Sequence, residues 1–124
     1  MENTNTHGSI RVSDEVIAGI AVKAAKEVDG VLSVAPRRLN NAVRFVTAKE
    51  RLVHGVGMVV NDGKLELTVH VVIRFGCRIP DVCVAVQEAV LEAVSDMTGF
   101  SVGAVHVAVV GVAQAPATRT PANQ

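Results

Sequence analysis

The residues with chemistry to offer are few: four histidines and two cysteines in 124 residues. His70 and His106 fall at the polar positions of two stretches with strand-like alternation, so strands that pair would bring two imidazoles to one sheet face. That begins a zinc or copper site, but such sites take three or four ligands and the spacing supplies no third. Cys77 stands just ahead of a helix start and beside Arg78, surroundings that favour a thiolate, yet no His or Asn is placed to partner it. Cys83 falls on an apolar helix stripe and reads as a small hydrophobe. The pair fits neither a CxxC motif nor a four-ligand zinc pattern and suits a reducing compartment as two thiols. No GxSxG elbow, phosphate-binding glycine loop or HExxH occurs. Asp14 with Glu15, Asp62 and Glu66 suit a helix start, a turn and a solvated strand face. The reading predicts no enzyme, no metal and no cofactor.

The elements that would position these side chains follow from period and punctuation. Gly8 to Val12 alternates as a short strand. Ser13 then supplies an N-cap, and Asp14 and Glu15 favour the positive end of a helix running to about Val28, with Ile17, Ile20, Ala21, Ala24 and Val28 as its apolar stripe. Gly30 ends that helix and Val31 to Ala35 is a strand stopped by Pro36. A strand through Val56, Met58 and Val60 leads to Asn61-Asp62-Gly63, which suits a tight hairpin. The return strand, Lys64 to Phe75, is the clearest signal: Leu65, Leu67, Val69, Val71, Ile73 and Phe75 on one side, and Lys64, Glu66, Thr68, His70, Val72 and Arg74 on the other. Pro80 and Asp81 open a second helix to about Met97, with Cys83, Val86, Val90, Ala93, Val94 and Met97 as its core stripe. Ser101 to Val112 is the last strand. The expectation is an α+β, two-layer sandwich: about five strands with two main helices on one face. It occupies residues 8–112, between disordered tails at 1–7 and 113–124.

Composition narrows the partners. The chain is 49% hydrophobic and formally neutral, with no Trp or Tyr, which argues against phosphate binding and base stacking. The neutrality conceals one basic segment holding Arg37, Arg38, Arg44, Lys49 and Arg51. It could meet anionic lipid or nucleic acid, so a small nucleic-acid-binding α+β module is the alternative function, though no GxxG clamp or aromatic RNA-binding strand accompanies it. Residues 1–7 lack a signal-peptide pattern and no apolar run nears a spanning length of about 20 residues, so the expectation is a cytoplasmic protein.

A surface for protein partners is the stronger reading. Thr68, His70, Val72, Arg74, His106 and Val110 should lie on a sheet face not covered by helices, and Val84, Gln87, Glu88 and Leu91 on the outer side of the second helix. An uncovered Val-rich face favours a partner or self-association.

Several stretches together resemble the alkaline shock protein family, the envelope stress response family of Gram-positive bacteria. They are Gly8 to Ala21 (GSIRVSDEVIAGIA), Ala24-Ala25, Glu27 to Val31 (EVDGV), Gly55-Val56, the alternating strand ended by Gly76, Val86-Gln87, Met97 to Phe100 (MTGF) and Val105 to Val112 (VHVAVVGV). Their order and spacing carry the likeness from Gly8 to Val112. The resemblance implies a small cytoplasmic protein without known catalysis, gathered at the inner face of the membrane through a small membrane-anchored partner, able to assemble with its like, and linked to cell-wall or alkaline stress. It brings no catalytic residues. Cys77, Arg78 and the neutral charge depart from the usual pattern.

Overall fold

The fold is that of a computed structural model and is described for residues 2–5, 7–34 and 51–114. The first helix, α1 (Asp14–Lys26), starts as its sequence dictates. The Ser13 hydroxyl accepts a 3.3 Å bond from the Val16 amide, Asp14 and Glu15 lie in the first turn, and Lys23 and Lys26 in the last, so both ends suit the helix dipole. Its buried side is Ile17, Ala18, Ala21, Ala24 and Ala25, a mostly alanine face that lets neighbours come close. Gly30 then reverses the chain at φ +104°.

A five-stranded sheet follows: β3 (Val31–Val34), β4 (Arg51–Val53), β5 (Val56–Asn61), β6 (Lys64–Arg74) and β7 (Val102–Ala113). β6 is its centre. One edge of β6 is taken along its length by β7, in parallel, while β5 and β3 share the other edge end to end, both antiparallel. The parallel pair needs a crossover, supplied by α2 (Ile79–Thr98), which begins with a proline in its first turn and ends on Gly99 at φ +76°. Each hairpin in the sheet turns on two residues of positive φ, His54 and Gly55 (54° and 86°) and Asp62 and Gly63 (55° and 75°), the mirror-image turn whose twist matches paired strands.

The expected α+β sandwich is therefore the observed fold, with different members in the sheet. Gly8–Arg11 forms β2, outside the main sheet, in a hairpin with β1 (Glu2–Asn5), where a disordered tail was expected. β4 takes the place of the fifth strand.

The core is built from small aliphatic side chains. The alternate residues of β6 from Leu65 to Ile73, with Val56 and Met58 of β5, meet Ile17 and the alanines of α1 and Val82, Val86, Val90 and Val94 of α2. Two expectations for this core are corrected. Met97 is 71% exposed, since the α2 stripe runs at four-residue steps to Thr98. Thr98 remains inside because its hydroxyl donates 2.6 Å to the Val94 carbonyl and accepts 3.1 Å from the Phe100 amide. Phe75, one residue past the end of β6, is 68% exposed.

Candidate functional site

The sheet face turned from the helices is less open than expected. Thr68, Val72, Arg74 and Val110 are half-buried. His70 is fully buried and so is corrected as an exposed contact. Its amide (3.1 Å) and its Nδ1 (2.9 Å) both donate to the Gly55 carbonyl, so the imidazole fastens the β4–β5 turn to the central strand. His106 remains exposed, with Nε2 3.7 Å from a Glu66 carboxylate oxygen. Among the described residues no group of three His, Cys, Asp or Glu side chains converges as metal ligands would.

The other expected contacts come together at the β7 edge of the domain. On α2, Val84, Gln87, Glu88 and Leu91 are all exposed, and their spacing of three, four and seven residues puts them on one flank. That flank overhangs β7. Gln87, Glu88 and Leu91 line a shallow groove of about 370 Å³ with Val102, Gly103, Ala104, Val105 and His106, and the Gln87 amide donates 3.0 Å to the Val105 carbonyl. Among the described residues no strand pairs with the outer edge of β7.

α2 carries a signal that motif and stripe alone do not reveal. It has Asp81, Glu88, Glu92 and Asp96 and no basic residue. Arg78 lies 3.5 Å from Asp81, and among the described residues no cation pairs with Glu88, Glu92 or Asp96. A count of charges along this one helix would have found it.

Arg37, Arg38, Arg44 and Lys49 are outside the described residues, and Arg51 is placed in β4 by its backbone. Cys77 and Cys83 are free and partly buried, and burial pushes the Cys83 thiol pKa up. A second groove, between α1 and α2, is lined by Val16, Gly19, Ile20, Ala93 and Met97, with Lys23 and Glu27 at its rim in a 3.3 Å ion pair. Among the described residues no helix is long and apolar enough to cross a membrane.

The family model of the alkaline shock proteins, described as having a cell envelope-related function, matches residues 2–114. The chain belongs to that family. It is the family that the sequence stretches from Gly8 to Val112 resemble. Among its relatives, the protein YqhY of Bacillus subtilis is 36% identical over 115 residues, covering 90% of this chain and 83% of that one. The protein YloU of the same organism is 26% identical over 113 residues, covering 90% and 94%. Of solved structures, MamM-CTD H264A aligns over 80% of this chain and 98% of its own, with a TM-score of 0.49 and 15% identity, a distance at which nothing about function follows.

Proposed function

We propose that this member of the family is a non-enzymatic scaffold of the cell-envelope stress response, working in the cytoplasm and brought to the inner face of the membrane by a protein partner. The observation that carries the reading is the α2–β7 flank: exposed Val84 and Leu91, the groove beside them, and the β7 edge below, with which no strand among the described residues pairs. Aliphatic side chains left in water beside an unpaired edge are the usual mark of a protein contact. The family's envelope-related function supplies the setting.

The test is a pull-down of the full-length chain from its own cells, with mass spectrometry of the captured proteins and microscopy of a labelled chain. Wild type should capture a membrane-anchored protein and concentrate at the cell periphery. A Val84→Lys, Leu91→Lys double variant should fold normally and lose both. Equal capture and equal peripheral signal in the variant would remove this face from the function.

A further inference from the structure

We infer that the α2–β7 groove takes an extended, basic segment of another protein, which adds to the sheet as a strand beside β7 with its apolar side chains in the groove and its cations against α2. The inference rests on the scaffold reading above and gives its partner a chemistry.

The first ground is the direction of the β7 backbone. The amides of Leu65 on β6 and of Phe75 just beyond it donate to the carbonyls of Ser101 and Ala113, while the amides of His70 and Arg74 donate the opposite way, to Gly55 and Gly30. Odd-numbered β6 residues therefore bond toward β7. In the parallel register of Leu67 with Val105 and Val69 with Val107, the β7 residues that bond back are the even ones. Val105, Val107 and Val109 turn their N–H and C=O groups away from the sheet. The Val105 carbonyl accepts from Gln87, which agrees with that direction. This stretch lies between the two register shifts, where β7 carries an extra residue at Gly103 and at Val110, so it is a regular edge of the kind an incoming strand extends.

The second ground is the groove itself. An added strand would point alternate side chains toward the helix layer, where Leu91, Val102 and Val105 offer an apolar seat. β7 carries no Asp, Glu, Lys or Arg to deter pairing, although edges are commonly guarded by lysine.

The third ground selects the occupant. Glu88 lines the groove and Glu92 follows it one helical turn on, and neither forms an ion pair with a cation among the described residues. A second copy, related by a two-fold axis, would bring the same carboxylates and the same concavity, setting like charges together and leaving the hollow unfilled. A basic segment with alternating β-branched residues satisfies edge, groove and charge together.

The probe is a seven-residue capped peptide of alternating valine and lysine, with a control in which glutamate replaces lysine. Hydrogen exchange by NMR is followed at each β7 amide of the full chain. The lysine peptide should bind and slow the amides of Val105, Val107 and Val109 about tenfold or more, and the glutamate peptide should not. A Glu88→Lys, Glu92→Lys variant should bind the lysine peptide about tenfold more weakly and gain affinity for the glutamate peptide. Unchanged exchange at the three valines at saturating lysine peptide overturns the inference, as does equal affinity for the two peptides. A dimer by sedimentation that protects the same valines without peptide assigns the edge to a second copy and overturns it too. If the natural partner is still captured through Val84 and Leu91 while the lysine peptide leaves those amides unchanged, the scaffold reading stands and the strand-addition inference alone fails.

Discussion

Replacing Gly30 with alanine tests how the second helix is held over the sheet, and so how the α2–β7 flank is positioned. Gly30 sits between α1 and β3 at φ +104°, and a Cβ there would stand 2.8 Å from Val82 Cγ2 and 3.3 Å from Cys77 Sγ. It is held from the sheet side as well, since the Arg74 amide donates 2.8 Å to its carbonyl. Val82 is part of the α2 core stripe and is buried, so the overlap cannot be relieved by swinging a surface side chain. A side chain in this backbone region costs about 1–2 kcal/mol, and overpacking a filled site adds about 1–3 kcal/mol. Gly63→Ala is the matched control. Its φ is +75° and no heavy atom lies within 4 Å of the added Cβ, so only the backbone cost of about 1–2 kcal/mol applies. Urea unfolding of the three proteins, followed by circular dichroism, should place Gly30→Ala about 2–5 kcal/mol below wild type and clearly below Gly63→Ala. Equal losses at the two glycines would refute the packing of α2 against the end of α1.

Three further outcomes follow from the fold. His70→Ala should cost about 2–4 kcal/mol in the same unfolding assay and speed exchange in the β4–β5 turn, because a buried ring bonded to Gly55 is lost; a loss under about 0.5 kcal/mol would contradict its placement. Met97→Lys should change stability by less than about 0.5 kcal/mol, whereas Val94→Ala on the buried side should cost about 2 kcal/mol, the reverse of what a core stripe through Met97 requires. Cys83 should react with iodoacetamide more slowly than a free thiol peptide near neutral pH, since burial raises its pKa and lowers the thiolate fraction. The linked stability is present below the unfolded thiol pKa and is lost as pH rises through the higher folded value; labelling at the peptide's rate would contradict that burial.

Much of this architecture was legible because its signals are local. The alternation from Leu65 to Ile73 marks a strand with one dry face whatever packs on it, Asp62-Gly63 needs only its own backbone to turn, and Ser13, Gly30 and Gly99 mark helix limits by chemistry within one turn. What escaped depends on neighbours distant in sequence. His70 occupies an outward position by alternation and is buried because the Gly55 carbonyl, fifteen residues earlier, receives both its amide and its ring. The turn at His54-Gly55 was hidden because His54 takes a positive φ that asparagine or glycine more often supplies. β1 is polar and is identified by its pairing with β2 rather than by any pattern of its own. Met97 falls outside the buried series because a three-residue and a four-residue step are equally helical, and only the sheet selects the series through Val82, Val86, Val90 and Val94. The α2 flank was legible in Val84, Gln87, Glu88 and Leu91, since exposed aliphatics on a polar helix side need no tertiary contact to be noticed. Its companion, the outer edge of β7, with which no strand among the described residues pairs, depends on strand order, which the sequence does not spell out.

The central claim is that the α2–β7 flank brings this chain to a partner at the envelope. The most direct measurement is capture from its own cells by the full chain, comparing wild type with the Val84→Lys, Leu91→Lys variant at matched folding and expression. The account predicts a membrane-anchored partner that is captured by wild type and lost from the variant. Undiminished capture by the variant would contradict it.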